Sequence, residues 1–177
     1  MGVSCISQPT CYDAGVPPDH PPPESSIQQT LDVIGDRWTM LILRDIFRGV
    51  RRFTRLQGEL GIAKNLLADR LARLVDNGVV ERVPYQQRPV RHEYHLTPKG
   101  IDLSSALVAL MQWGDRWYAD GAPPTLLIHD RCGTPLQQEV RCPHCEVQVE
   151  PAHIRSRPGP GDPSAESTPS RRPRVSV

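Results

Sequence analysis

Apolar positions recur at helical spacing from residue 27 onward, and short polar or glycine-containing breaks divide the pattern. Ser25-Ser26-Ile27-Gln28 has the form of a capping box, the hydroxyl covering open helical amides while Gln28 reaches back, and Leu31 and Ile34 continue the apolar face. This predicts a first helix to about Ile34, with Gly35 as the left-handed residue that follows it. Asp36 can cap a second helix, in which Trp38, Leu41, Ile42 and Ile46 share a face and Gly49 marks the end. A short third helix turns Phe53, Leu56 and Leu60 inward, and Gly61 supplies a sharp turn. A fourth, from Ala63 to about Asp76, buries Leu67, Leu71 and Leu74 before Asn77-Gly78 stops it.

The period then changes. Residues 79–83 and 91–96 read as strands separated by the turn-forming Tyr85-Gln86-Gln87-Arg88-Pro89, which makes a hairpin. Thr97-Pro98 is a helix start, a capping hydroxyl followed by proline at the first helical position, and that helix continues to about Tyr118. Gly121 and Pro123-Pro124 close it. The predicted class is mainly α with a small β-hairpin (α+β): a winged helix-turn-helix with a C-terminal dimerisation helix and a small zinc-ribbon-like appendage.

The domain organisation follows from where this pattern begins and ends. Residues 1–24 are proline-rich and too poor in apolar residues to offset the entropy of ordering, so they read as a disordered tail. Residues 25–120 hold the winged helix-turn-helix, 126–150 the appendage, and 151–177 a second tail with five arginines. At 177 residues the chain has room for one well-cored domain with appendages. The start of the chain lacks the basic flank and apolar stretch of a secretory signal, and no run is long and apolar enough to span a bilayer. A cytoplasmic protein is expected, with its five cysteines as thiols or metal ligands rather than disulfides.

A net charge of +1 excludes nothing, because a nucleic-acid binder needs local positive charge. Between Arg48 and Arg91 ten basic residues face four acidic ones, a surplus concentrated in the turn, the fourth helix and the hairpin. Two short helices joined by a tight turn and followed by a hairpin match the arrangement whose second helix enters the DNA major groove. With its leucines turned inward, the fourth helix keeps Lys64, Asn65, Ala68, Asp69 and Arg73 outward. Asn and Arg make paired hydrogen bonds to adenine and guanine, and Lys64 suits a guanine or a phosphate. Arg51, Arg52, Arg70, Arg88 and Arg91 complete the candidate DNA-binding set, although Arg70 has Asp69 or a backbone carbonyl as an alternative partner.

No phosphate loop or nucleophile elbow is present, so no catalytic residue is assigned and an enzyme is not expected. His92-Glu93-Tyr94-His95 superficially suggests a zinc protease, but its histidines are three apart on a predicted strand and face opposite ways. The competing reading is an interaction module, a winged helix that serves only as a dimer scaffold. The outward basic residues weigh against it.

Residues 31–45 resemble the opening of HxlR-family regulators, which are MarR-like winged helix-turn-helix proteins. Arg52-Phe53-Thr54-Arg55-Leu56, Asp69-Arg70-Leu71-Ala72-Arg73-Leu74, Gly78-Val79-Val80-Glu81-Arg82 and residues 91–100 continue the resemblance in order. The resemblance covers about residues 25 to 119 and implies a homodimeric regulator of transcription on promoter DNA, with terminal helices forming much of the subunit contact. For many members it also implies sensing of electrophiles or oxidants through a cysteine ten residues before the glycine equivalent to Gly35. Ser25 stands there, and a hydroxyl does not replace a thiolate in such chemistry. Cys5 and Cys11 have no neighbouring basic group to activate them and read as incidental.

The last helix is apolar over a broad arc, with Ile101, Leu107, Leu110, Trp113 and Trp117 as the candidate dimer interface. The alternative is packing against the first two helices of the same chain. A small-molecule effector would suit a pocket between dimer helices, whose lining the sequence does not name. Further on, His129-Asp130-Arg131-Cys132-Gly133 and Cys142-Pro143-His144-Cys145 each place two donors at the spacing of a metal knuckle. One structural zinc per chain on His129, Cys132, Cys142 and Cys145 is expected, with 126–128 and 146–149 as short strands that bring the pairs together. Glu146 stands where glycine is preferred for the turn, and reduced cysteines in a loop or an oxidisable Cys142 and Cys145 pair remain the alternatives.

Overall fold

Burial of three leucines along one helix organises the centre of the molecule. The computed structural model describes residues 25–162; the predicted tail 1–24, with Cys5 and Cys11, and the chain from residue 163 onward lie outside the described residues. The elements in order are α1 (Ser26–Ile34), α2 (Arg37–Phe47), α3 (Phe53–Leu60), α4 (Lys64–Asp76), β1 (Val80–Gln87), β2 (Val90–Leu96), α5 (Pro98–Asp102) and α6 (Ser104–Tyr118). Leu67, Leu71 and Leu74 of α4 are fully buried against Ile42, Leu43 and Ile46 of α2, Leu56 of α3, and Val79 and Val80 at the foot of β1. Full burial of an aliphatic side chain contributes about 1.5–3 kcal/mol, so this layer fixes the positions of the helices.

The junction between α1 and α2 corrects one expectation. Gly35 is not left-handed: its φ is −73°. Glycine is needed there for another reason, since a Cβ would collide with the Leu31 carbonyl oxygen. Gly61 does take the left-handed turn between α3 and α4, at φ +61°. Ser25 caps α1 by accepting from the Gln28 N–H at 3.2 Å.

β1 and β2 pair antiparallel, with Val80 opposite Leu96 and Gln87 opposite Val90, and a bulge lies between Pro84 and Gln86. The strands run further into the loop than the sequence suggests, leaving Arg88-Pro89 as a two-residue tip. The predicted last helix is interrupted at Leu103, where α5 ends with a tighter bond from the Leu103 N–H to the Gly100 carbonyl. Thr97 caps α5 as expected and also donates to the Gly78 carbonyl at 2.6 Å.

Beyond α6 the expected strands 126–128 and 146–149 do not pair with one another. Each instead closes its own small hairpin through a single bridge, Ile128 with Pro135 and Arg141 with Gln148. Of the tail expected from residue 151, the first part is described: Pro151–His153 forms a 3-10 turn, and a second turn is closed by the Asp162 N–H on the Gly159 carbonyl.

Asp36 joins α2 to α4. Its Oδ1 accepts from the Trp38 N–H at 3.0 Å and the Thr39 N–H at 3.1 Å, its Oδ2 from the Thr39 hydroxyl, and Arg70 Nε reaches Oδ1 at 3.0 Å. Partial burial pushes the carboxyl up, but the Thr39 hydroxyl and N–H and the Arg70 guanidinium outweigh it and hold it below the usual carboxylate range. Asp36→Ala is expected to lower stability by about 1–2 kcal/mol through loss of the cap alone. A depressed carboxylate stabilises above its unfolded value, near pH 4, and that stabilisation is lost as pH falls through the lower folded value. Urea unfolding should therefore show the advantage over Asp36→Ala steady from about pH 7 to pH 5 and shrinking below about pH 4. An undiminished advantage at about pH 3 would contradict the ion-paired cap.

Candidate nucleic-acid interface

Because the leucines of α4 point inward, its opposite face lies in solvent. Lys64, Asn65, Ala68, Asp69 and Arg73 are all exposed. The side chains of Lys64 and Asn65 carry no hydrogen bond or ion pair among the described residues, so their donors remain available to a ligand. Arg73 Nη2 instead donates to the Asp32 carbonyl at 2.8 Å, tying α4 to α1. Arg70 takes the Asp69 partner that the sequence offers and adds a second. Its guanidinium bridges Asp36 and Asp69 and is directed toward the α2 N-terminus rather than outward. The hydrogen bond it donates to Asp36 is the main reason its basicity is raised.

The start of α4 has a second property that the sequence reading missed. Ala63 at its N-cap and Arg52 at the N-cap of α3 make no side-chain cap, whereas Ser25, Asp36 and Thr97 cap α1, α2 and α5. The first N–H groups of the helix pair are left for outside acceptors, and such helix starts attract phosphate. Ala63 was the available signal, since alanine has no acceptor.

The hairpin is fastened to the helix pair by Arg52. Its Nε donates to Glu93 Oε1 at 2.8 Å, and the guanidinium lies over the Tyr85 ring at 4.4 Å from the centroid. The Tyr94 N–H donates to the Arg51 carbonyl at 2.8 Å, and Arg52 forms a single antiparallel bridge with Glu93 of β2. The Arg52 hydrogen bond holds the Glu93 carboxyl below the usual range, and Glu93 in turn raises Arg52. Glu93 thus has a structural role, as the acceptor that ties β2 to Arg52. Arg88 at the tip and Arg91 beside it are exposed, and their side chains have no partner among the described residues.

An apolar face stands apart from this surface. Of the five predicted interface residues, Ile101, Leu110, Trp113 and Trp117 are exposed, the tryptophans to 56% and 64%. Leu107 instead belongs to the core of its own chain at 9% exposure, lining a cavity with Phe47 and Arg44 of α2. Ile27 and Leu31 of α1 and Tyr118 of α6 are also exposed apolar residues. A cavity of about 280 Å³ lies between α2, α6 and the first appendage hairpin, bounded by Phe47, Leu107, Met111, Leu127 and Leu136 with Arg44 and Arg48.

In the appendage the predicted ligands form two pairs. His129 Nδ1 is 3.2 Å from Cys132 Sγ, while Cys142 and Cys145 interact through their thiols. The pairs are not joined: among the described residues no three His, Cys, Asp or Glu side chains stand close enough to share an ion. Thr134, through its hydroxyl and then its N–H, holds the Cys132 thiol below the usual range, and the N–H groups of Cys145 and His144 do the same for Cys142. Cys145 is pushed up by its neighbour Cys142.

The profile of the HxlR-like helix-turn-helix family matches residues 33–122. An uncharacterized HTH-type transcriptional regulator of Mycobacterium tuberculosis, Rv3095, is 44% identical over 137 residues, which cover 77% of this chain and 87% of that protein. The regulator Mb3122 of Mycobacterium bovis aligns equally well, and YvaP of Bacillus subtilis is 33% identical over 51% of this chain and 84% of its own. Among solved structures, PA1607, described as a candidate transcription factor, matches with a TM-score of 0.69 and 38% identity over 76% of this chain and 95% of its own. PA1374 of Pseudomonas aeruginosa, similarly described, gives 0.57 and 35% over 77% and 94%.

If Arg52 fastens the hairpin, Arg52→Ala will loosen it without unfolding the helices. Hydrogen exchange at the Tyr94 amide should accelerate severalfold while amides of α4 keep their protection. Equal acceleration at both would show that Arg52 supports the whole domain instead.

Proposed function

This chain belongs to the HxlR-like helix-turn-helix family, whose members are DNA-binding transcriptional regulators, and we propose that it works as a cytoplasmic homodimer reading promoter DNA. In this reading α4 enters the major groove, Asn65 and Lys64 meet base edges near its start, and Arg88 and Arg91 of the hairpin hold the flanking phosphates. The observation that carries it is the outward face of α4, where unpartnered Lys64 and Asn65 sit beside uncapped helix N–H groups. Arg51 extends the basic surface, Arg52 aims the hairpin, and Arg73 and Arg70 set the angle of α4. Ala68 admits close approach to a thymine methyl, and Asp69 orients Arg70.

The dimer is formed through Ile27 and Leu31 of α1 with Ile101, Leu110, Trp113 and Trp117, large apolar side chains that the single chain leaves exposed to water. A small apolar effector would enter the cavity beneath Arg44 and Arg48, where a change in the seating of α6 would be felt at the seam. The scaffold reading, a dimer without specific DNA binding, leaves the basic face of α4 and the hairpin tip unexplained.

Fluorescence anisotropy with fragments from upstream of its own and neighbouring genes tests the DNA reading. Arg88→Ala and Arg91→Ala should weaken binding to all fragments, each lowering the slope of log affinity against log salt by about 1. Asn65→Ala should chiefly erode discrimination, by about 1–3 kcal/mol between best and poor fragments. Salt-insensitive or absent binding by the unaltered protein to every fragment would favour the scaffold. Sedimentation tests the dimer: the protein should be two-fold at micromolar concentration, and Trp113→Glu should give a folded monomer. A monomeric unaltered protein would remove the seam.

A further inference from the structure

The two appendage hairpins are the same structure built twice, thirteen residues apart. In the first, the His129 N–H donates to the Thr134 carbonyl at 2.8 Å and the Gly133 N–H to the His129 carbonyl at 2.8 Å. In the second, the Cys142 N–H donates to the Val147 carbonyl at 3.0 Å and the Glu146 N–H to the Cys142 carbonyl at 2.9 Å. The flanks correspond as well, Leu136 N–H to Leu127 carbonyl and Val149 N–H to Val140 carbonyl, both at 2.8 Å. The residue after the second donor is left-handed in each, Gly133 at φ +69° and Glu146 at φ +57°. Glutamate adopts that conformation against its Cβ, so the turn is kept where glycine is missing.

This fold turns the donors of each pair to one side of a tight loop. His129 Nδ1 and Cys132 Sγ are 3.2 Å apart, close to the edge of about 3.5 Å that zinc bond lengths and tetrahedral angles give for an N and S pair. Packing does not explain these thiols. Cysteine is ordinarily among the most buried residues, yet Cys132 and Cys145 are exposed, and the hairpins leave Ile128, Leu136, Val140 and Val147 exposed without a core of their own. Only residues 137–139 separate the repeats, so the facing ends are four chain steps apart, at most about 14 Å when extended. Gln112 of α6 fixes this junction, donating to the Leu136 carbonyl at 2.7 Å and accepting from the Gln138 N–H at 2.8 Å.

We propose that residues 127–149 are a zinc module in which His129, Cys132, Cys142 and Cys145 of one chain bind a single structural Zn²⁺, the ion drawing the two knuckles together. Three thiolates and one neutral imidazole complete a closed tetrahedral shell of net charge −1, and three thiol protons pass to solvent. His144 lies between the thiols of the second knuckle and stays outside the shell.

The test uses the full chain, purified under reducing conditions without added metal. Elemental analysis should find about one zinc per chain, and exchange with Co²⁺ should give the intense visible absorption and thiolate charge transfer of a tetrahedral site. Cys142→Ser should bring zinc below about a tenth of an equivalent while far-ultraviolet circular dichroism shows the helices intact, and His144→Ala should leave zinc at about one. Three results would overturn the proposal: less than a tenth of an equivalent with no tetrahedral cobalt spectrum in the unaltered chain, half an equivalent as for a site shared between copies, or full occupancy in folded Cys142→Ser.

Discussion

A helix that must bury one face has no choice about what it offers on the other. Leu67, Leu71 and Leu74 are spaced so that all three sink into the layer formed by α2, α3 and the foot of β1. At 3.6 residues per turn this leaves positions 64, 65, 68, 69 and 73 on or near the far side. The chemistry of the molecule's outer face is thus a by-product of its core, and a slip of one position toward the N-terminus would turn Arg70 and Arg73 into the core and expose leucine.

Charge has been divided between two duties on this frame. Arg70 and Arg52 each join elements far apart in sequence, Arg70 through Asp36 and Arg52 through Glu93, and a planar guanidinium suits such bridging better than an ammonium. Lys64, Arg88 and Arg91 have no such engagement among the described residues. The basic surplus between Arg48 and Arg91 is therefore smaller, as a reserve for ligands, than a count of residues suggests, with Lys64 left free at the start of α4 and Arg88 and Arg91 at the hairpin tip.

Most of the helices were legible from punctuation at one end: Ser25, Asp36 and Thr97 at the starts of α1, α2 and α5, Gly61 and Gly78 after α3 and α4. What eluded the sequence depended on distant partners. Asp69 beside Arg70 was visible in the sequence, but its second partner, Asp36 at the start of α2, lies 34 residues away and was not. Leu107 and Leu110 differ by less than a turn, yet one packs toward α2 and the other faces water. Gly35 was recognisable as a necessary glycine but for the wrong reason, since collision with Leu31, not handedness, excludes a side chain. In the appendage the donor spacing was legible, whereas the separate closure of each hairpin depends on hydrogen bonds within ten residues that no apolar pattern announces.

Gly100 lies where the hairpin and the last helices meet. A Cβ there would run into the Val79 carbonyl oxygen, and the same carbonyl accepts the Thr97 N–H while the Thr97 hydroxyl holds the carbonyl of Gly78. Lys99 adds a bond from Nζ to the Asn77 carbonyl at 2.9 Å. Backbone lies directly on backbone, with the Leu96 side chain packed close beside it. The joint behaves as a weld rather than a hinge: in any two-fold assembly made through α6, the separation of the hairpin tips is decided by how the helices seat against each other, and the tips have little latitude to correct an ill-fitting span.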